Sequence, residues 1–439
     1  MATSDAMALP QGAIVSNKAR YFQFVLLLLA AGAIYPLLYL RQNFEHTLLL
    51  SFNITAEDLG DFNSILGVIY VVTYIPSGWL ADRFSPKKLI VFSVGAVGLL
   101  GLWYSTFPGY AAQMTIFIGW GLCAGLTFWA SLIKAVNLLA NDDEQGRFFG
   151  VLDGGRGLVE AVLASAAVAI FAYYMGDSKD EALGIEGFKV VIYMYSATCI
   201  AIAALVAVSL RDDIGGSRNG VADGAQAGEG NVSVAKRTWE DLVAIFTIPQ
   251  VWVMMLVILC GYMQFWATYS VSAFLQARYQ ETAVVAAFIT MTKLWMRPVG
   301  GIGGGFLADW LSRKAVLGTS MVVASAALFG FAYFPVMATP LFLLGFVIVL
   351  GISTYAIRGL YWSILDDCRI PARAVGLGIG VISMVGYTPD IFLPQINAAI
   401  VKIYPGVTGT QLYFDFIAVC GLIGAIAAFA FRPRQPAAE

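Results

Sequence analysis

The amino-acid sequence predicts an all-α integral membrane protein of twelve transmembrane helices, arranged as two pseudo-symmetric six-helix bundles. Three observations carry that prediction. The chain of 439 residues is 59% hydrophobic and only 12% charged, whereas ordinary soluble domains are ~25% charged. Its apolar residues gather into runs long enough to cross a bilayer. A charged motif, Gly78-Trp79-Leu80-Ala81-Asp82-Arg83-Phe84-Ser85-Pro86-Lys87-Lys88, nearly recurs as Gly305-Phe306-Leu307-Ala308-Asp309-Trp310-Leu311-Ser312-Arg313-Lys314. Such an echo marks a duplicated membrane protein.

The elements follow in order. After about twenty mildly polar residues without a cleavable-looking signal, apolar runs of roughly 18 or more residues, enough for ~30 Å of hydrocarbon, begin near Tyr21, Phe62, Leu89, Tyr110, Phe148 and Phe188. They resume near Pro249, Thr282, Ala315, Thr339, Ala374 and Thr410. The expected division is a tail (1–20), a first bundle (21–210), a linker (211–241), a second bundle (242–431) and a tail (432–439). The linker scatters glycines among Asp, Asn, Ser and Arg, a composition that buries no core and is expected to be flexible.

Lys and Arg set the orientation. With the N-terminus inside, Lys18, Arg20, Arg83, Lys87, Lys88, Arg147, Arg211, Arg218, Lys236, Arg237, Arg313, Lys314, Arg369, Arg373, Arg432 and Arg434 fall on the cytoplasmic side, and only Lys179, Lys189, Arg278 and Lys402 outside. The positive-inside rule therefore places both termini in the cytoplasm. The outer loops carry acids instead, including Glu57, Asp58 and Asp61.

A net charge of −2 is too small to argue for a nucleic-acid or acidic partner, and no nucleic acid is expected; a single histidine excludes multi-His metal chemistry. The five cysteines form no CxxC pair and read as small apolar packing residues without a disulfide. No metal or cofactor is expected. No nucleophile with its base stands out, so an enzyme is disfavoured. Gly300-Gly301-Ile302-Gly303-Gly304-Gly305 reads as close helix packing, because no P-loop lysine follows it.

Arg41, Lys134, Arg156, Lys293, Arg297 and Arg358 have no loop to occupy. Each costs about 2.5–3.5 kcal/mol near a helix centre unless it faces protein or a wet cavity. Lys293 and Arg297 share a helix face, as do Asp153, Arg156 and Glu160. Intramembrane acids are fewer (Glu160, Asp390, Asp415, with Glu45 and Asp153), so the surplus cations imply an anionic ligand. Among the polar aromatics, Tyr39, Trp266, Tyr361 and Tyr387 fall beside charges or turns and are expected to line the cavity. Tyr35, Trp129, Tyr262, Trp295, Tyr355 and Trp362 are expected in packing or interfacial roles.

Across essentially its whole length, with its 6+6 duplication and GxLAD repeat, the sequence resembles the major facilitator superfamily. Gly78, Leu80, Ala81, Asp82, Arg83, Lys87 and Lys88 fit that family's first cytoplasmic loop, while the second copy, Asp309 with Arg313 and Lys314, has Trp310 where the arginine would stand. The resemblance implies that these loops gate the cytoplasmic side. Within the superfamily the chain looks most like the organophosphate:phosphate antiporters and their uncharacterised relatives. Tyr39-Leu40-Arg41-Gln42-Asn43-Phe44 is similar to that group's first-helix Tyr-x-x-Arg-Lys-Asn-Phe, which implies that Arg41 binds substrate. Lys134 stands where the group has a fourth-helix arginine, Arg156 where a member has a substrate-contacting histidine, and Gly376, Gly380, Gly386 and Tyr387 match its eleventh helix. Gln264 replaces the seventh-helix arginine, leaving Arg297 or Arg358 to complete the clamp.

The resemblance implies a monomeric bacterial inner-membrane secondary transporter. It would carry a small phosphorylated, sulfonated or carboxylated anion by alternating access, with protons or inorganic phosphate as coupling ion. Arg41, Lys134, Arg156, Gln264, Lys293, Arg297 and Arg358 would bind the substrate. Glu160 and Asp390 are the candidate proton carriers, because a low-dielectric surrounding disfavours a charged carboxylate; their alternative role is to neutralise nearby cations. Pro389 and Pro394 are expected to interrupt the hydrogen-bond ladder of the eleventh helix and free backbone groups there. A transporter-like sensor of an anionic metabolite is the second reading.

Overall fold

The structure, a computed structural model, describes residues 17–140, 145–176, 180–211, 234–337, 339–371 and 374–432. Most of the expected linker (212–233), and Lys179, Arg218, Arg373 and Arg434, lie outside the described residues, as do the side chains of Asp82, Arg147, Lys236, Arg237 and Asp309.

The first half runs through α1 (Asn17–Ala33) and α2 (Arg41–Phe52), which form one interrupted pass, then α3 (Ala56–Arg83) and α4 (Pro86–Tyr104). Its fourth pass joins α5 (Tyr110–Gly121) to α6 (Trp129–Leu139) through a π-helical stretch, Leu122–Phe128, and α7 (Gln145–Met175) and α8 (Glu181–Ser209) complete it. After α9 (Val234–Phe246), the second half repeats the scheme. It comprises α10 (Pro249–Ala267) with α11 (Val271–Tyr279), α12 (Ala283–Trp310), α13 (Arg313–Tyr333), α14 (Pro340–Leu360), α15 (Val375–Gly386) with α16 (Pro389–Ile403), and α17 (Val407–Ala430). Among the described residues, nine stretches are individually long and apolar enough to span a membrane. The α1–α2 pair, α3 and α12 supply the other passes, consistent with twelve.

The interruptions have chemical causes. Pro36 lacks an N–H and disfavours helix at Tyr35, so α1 stops and a turn over residues 34–40 restarts the chain as α2. In the seventh pass the Thr268 hydroxyl donates to the Phe265 carbonyl at 2.6 Å, and a 3-10 turn, Thr268–Ser270, separates α10 from α11. In the eleventh the break falls at Tyr387–Thr388, with Pro389 at the first turn of α16, a position that needs no N–H.

One expectation needs correcting. The segment from Val234 to Asp241, assigned to a structureless linker, is the start of α9. Its sequence is amphipathic: Ile245 is fully buried, whereas Trp239, Val243 and Phe246 form an exposed apolar stripe at helical spacing. The glycine-rich composition that argues for flexibility ends before it.

Two apolar cores, one centred on each half, hold the bundles, and the first also takes in Ala287, Met291 and Leu294 of α12. Outward-facing Val72, Phe92, Leu99, Ile302, Phe306 and Ile426 are each more than half exposed, a surface suited to lipid rather than water. The halves meet in two related places. The second pass of the first half packs on the fifth of the second (α3 on α16), and the fifth of the first on the second of the second (α7 on α12). That reciprocity is the pseudo-twofold axis. Both joints depend on a glycine. A methyl at Gly67 would come within 2.6 Å of the Asp390 carbonyl group, and one at Gly157 would collide with the Arg297 side chain.

The α3–α4 and α12–α13 turns share one side, which we call the basic face. On the opposite face the halves are latched. Lys402 pairs with both oxygens of Glu57 (2.8 and 3.1 Å), Gln395 donates to Asp61 (2.7 Å), and the Ser272 hydroxyl donates to the Asn43 carbonyl (2.9 Å). Toward the basic face, the described polar contacts of the repeated motif stay within a half: Arg313 donates to the Ser363 carbonyl and Lys314 to that of Phe431.

Gly67→Val will therefore open the latched face. Overpacking costs about 1–3 kcal/mol, a roughly 5- to 150-fold shift against closure. The check is the cross-linking rate of cysteines placed at Glu57 and Lys402. An unchanged rate would remove Gly67 from the joint.

Candidate functional site

Between the halves lies a cavity of about 570 Å³, a size ordinary for a small-molecule site. Its wall takes residues from both bundles. The first half contributes Tyr35, Tyr39, Trp129, Arg156 and Glu160, and the second Tyr262, Arg297, Arg358, Tyr387 and Asp390. Three arginines and two carboxylates thus meet in a largely aromatic enclosure.

Two of the arginines are spoken for. Glu160 accepts from Arg156 Nε on one oxygen (3.0 Å) and from Arg297 Nη1 on the other (3.0 Å). Arg297 Nη2 also reaches Asp153, whose side chain is exposed. This quartet bridges α7 and α12, so it joins the bundles as well as facing the cavity. Arg156 lies 4.7 Å from the Tyr35 ring centroid and 5.8 Å from that of Trp129, a geometry that favours a guanidinium over a π face.

Arg358 is different. Among the described residues it forms no ion pair with a carboxylate; its guanidinium lies 4.3 Å from the Phe265 ring centroid and 5.6 Å from that of Tyr262. Close by, the Tyr387 hydroxyl meets that of Tyr361 (3.1 Å) and accepts from Trp362 Nε1 (3.1 Å). The spacing of Tyr355, Arg358 and Trp362 on the tenth pass puts them on one face, and all three line the cavity.

Asp390 begins α16, where the eleventh pass breaks, and is only 6% exposed. Its Oδ1 accepts from the Tyr262 hydroxyl (2.8 Å) and from Trp266 Nε1 (2.6 Å). Trp266 and Tyr361 thus stand one residue behind the wall, as hydrogen-bond partners of residues that form it.

Four residues expected to bind substrate lie elsewhere. Arg41 turns into the first bundle and pairs with Glu45 (2.9 Å), both nearly buried, while Tyr39, Gln42 and Asn43 take the cavity face. Lys134 donates to the Ala81 carbonyl at 2.8 Å, serving the C-terminal end of α3 within the repeated motif. Gln264, fully buried, donates to the Met321 carbonyl and to Ser325, on the side of α10 that faces α13 and α17. Lys293 donates to the Thr268 hydroxyl (2.8 Å) and lies over Phe265 and Tyr269, behind the wall. Among the expected gate residues, Arg83 stacks on Trp79 at 4.2 Å, and Gly78, Lys87 and Lys88 lie with it on the basic face.

Several lining residues escaped the sequence reading. Tyr35, Trp129, Tyr262, Tyr355 and Trp362, expected to be packing groups, line the cavity, and so do Tyr70, Tyr195, Phe265 and Tyr269. A signal existed for the seventh pass: Tyr262, Phe265, Trp266 and Tyr269 recur at helical spacing on one face.

Comparisons with known proteins agree with this architecture. The chain is 27% identical over 418 residues to the inner membrane protein YihN of Escherichia coli (strain K12), covering 93% of this chain and 94% of YihN. It is 26% identical over 386 residues to the inner membrane protein YqcE of the same organism, with 86% of each covered. Among solved structures, it superposes on a bacterial homolog of the human lysosomal transporter Spinster, in an inward-facing and unoccupied conformation, with a TM-score of 0.67 at 16% identity, covering 94% of this chain and 97% of that one. It also superposes on the nucleoside transporter NupG with a TM-score of 0.69 at 16% identity, covering 94% and 99%. The family model of the Major Facilitator Superfamily matches residues 20–394, and with the duplicated helical halves around one central cavity, the chain belongs to that superfamily of membrane transporters.

Proposed function

We propose that this transporter moves a small organic anion, a phosphorylated, sulfonated or carboxylated metabolite, across the inner membrane by alternating access. It is driven by exchange or by protons. The observation that carries this reading is Arg358, a cavity-lining guanidinium with no carboxylate partner among the described residues, set on two aromatic rings. A guanidinium offers a planar fork to carboxylate, sulfonate or phosphate oxygens. The hydroxyls of Tyr262 and Tyr387 and the surrounding rings supply donors and apolar faces for the rest of a metabolite.

Alternating access needs two joints that open in turn. The opposite face is latched by side-chain contacts between the halves, and the described polar contacts of the repeated motif on the basic face stay within a half; the positive-inside rule assigns that basic face to the cytoplasm. The described arrangement is then the inward-facing one. Gly78, Asp82, Arg83, Lys87 and Lys88, with Asp309, Arg313 and Lys314, form the gate that closes this side when the bundles rock.

The test is a melting-temperature screen of purified protein against sugar phosphates, glycerol phosphate, sulfonates, carboxylates and inorganic phosphate. A true ligand at about 100 times its Kd stabilises the folded state by ~2.7 kcal/mol. The expected result is a rise with at least one anion and none with its uncharged counterpart, such as the free sugar or glycerol. Equal rises with charged and uncharged compounds would overturn the anion reading.

A further inference from the structure

We propose that the substrate carries a cationic amine as well as its anionic group, the ammonium bound at Asp390 and the oxyanion at Arg358, with a short spacer between them. This rests on the anion reading and narrows its substrate class to amine-bearing phosphates, sulfonates and carboxylates.

The cavity has two ends of opposite hydrogen-bonding character. At one end Arg358 lines the wall and, among the described residues, makes neither an ion pair nor a hydrogen bond. Tyr387 joins it there, its ring 4.9 Å from that of Tyr262, the same ring that lies under Arg358. The Tyr387 hydroxyl accepts from Trp362 Nε1 and meets the hydroxyl of Tyr361. Tyr361 is only 2% exposed and has no other hydrogen-bond partner among the described residues, so it donates to Tyr387. Both lone pairs of Tyr387 are then taken, and its own O–H is left for the cavity. This end offers donors only, which fits an oxyanion.

Asp390 makes the other end, almost fully buried yet lining the cavity. Tyr262 and Trp266 both donate to its Oδ1. Among the described residues Oδ2 takes no hydrogen bond, and no cation pairs with the carboxylate. Tyr262 directs its O–H at Asp390, so it too presents only an acceptor. Tyr269, whose ring lies 4.9 Å from that of Trp266, and Tyr39, stacked on Tyr269 at 5.4 Å, add cavity-lining π faces that attract a cation.

The charges of the cavity select such a ligand. Arg156, Arg297, Glu160 and Asp153 balance among themselves, and Lys293 donates to Thr268 behind the wall. One positive and one negative group remain for the ligand. A plain anion would satisfy Arg358 and leave the Asp390 carboxylate stranded in an enclosed site, which is costly; a ligand with both charges satisfies both. Tyr262 measures the span. Arg358 lies 5.6 Å from its ring centroid and Asp390 is 2.8 Å from its hydroxyl, so the two charges sit about one tyrosine side chain apart, a gap that a short aliphatic spacer bridges.

Calorimetric titration of the full chain in detergent tests this with two matched pairs of probes, taurine against isethionate and phosphoethanolamine against 2-hydroxyethyl phosphate. In each pair an ammonium replaces a hydroxyl on the same carbon chain. The amine should bind about tenfold tighter or more in at least one pair, the size of a charge-assisted hydrogen bond. Asp390→Asn should abolish that preference while the hydroxyl compound keeps its affinity, which shows that the variant is folded. Should Asp390→Asn bind neither member, Asp390→Glu decides, because recovery of the amine preference supports the proposal and its absence overturns it. Arg358→Gln should weaken both members. Hydroxyl compounds that match the amines in wild type, or an amine preference that survives in Asp390→Asn, overturn the proposal and leave the anion reading standing. The same holds if neither pair binds while another anion of the wider screen does. If no anion of that screen raises the melting temperature, the anion reading fails and this proposal falls with it.

Discussion

Arg358→Gln will weaken anion binding by about 30-fold or more, the largest effect expected of any single substitution in the cavity. The guanidinium stacks 4.3 Å from the Phe265 ring centroid, and among the described residues no carboxylate competes for it. Truncating one partner of a buried charge pair costs about 2–5 kcal/mol, and each ~1.4 kcal/mol is tenfold in affinity. Arg358→Lys keeps the charge but loses the planar fork and the stacking surface, so it will fall between wild type and the glutamine variant. The control is the double substitution Arg41→Met with Glu45→Leu, which removes a buried pair without leaving either charge alone. It will keep its affinity, because that pair points into the first bundle. Titration of the variants by calorimetry, with whichever anion raises the melting temperature, makes the comparison. Wild-type affinity in Arg358→Gln, or its loss in the double variant, would relocate the site.

That contrast also shows where the sequence is informative. Bundle architecture was legible because lipid imposes it: apolar runs, a duplicated loop motif and the distribution of basic loops are each one-dimensional signals. The cavity was half legible. Membrane-embedded cations were found by composition, and Arg156, Arg297 and Arg358 do meet. What failed was azimuth. A helix turns about 100° per residue, so the turn set by Pro36 decides that Tyr39, Gln42 and Asn43 share the cavity face while Arg41 points the other way. Glu45, four residues on, was the clue that Arg41 already has a partner. Gln264 failed likewise, since it lies off the stripe formed by Tyr262, Phe265, Trp266 and Tyr269. The pairing of Arg297 with Glu160 and Asp153 left no trace in spacing, because the partners sit 137 and 144 positions apart. Only the folded halves bring them together.

That quartet carries the second large expectation. Glu160→Gln will destabilise the protein more than Arg297→Met, although the glutamine is the more conservative change. Glu160 holds one guanidinium on each carboxylate oxygen, Arg156 from its own helix and Arg297 from the other half. Neutralising it leaves two largely buried arginines facing each other with only Asp153, an exposed acid whose pairing is worth little. The new amide nitrogen would also present a donor to a donor. Removing Arg297 instead leaves Arg156 and Glu160 as a balanced pair and returns Asp153 to solvent. Breaking a buried pair so that a charge is stranded costs about 3–5 kcal/mol. Glu160→Gln is expected in that range, and Arg297→Met below it. Melting curves in detergent rank the two directly. Because α7 and α12 form the second joint between the halves, Glu160→Gln should also raise the accessibility of a cysteine placed at Ser165, whose hydroxyl meets Trp295 Nε1 across that joint at 3.1 Å. If Arg297→Met melts lower, Asp153 rather than Glu160 holds the joint, and the charge balance of the cavity must be drawn again with Asp153 as a full member.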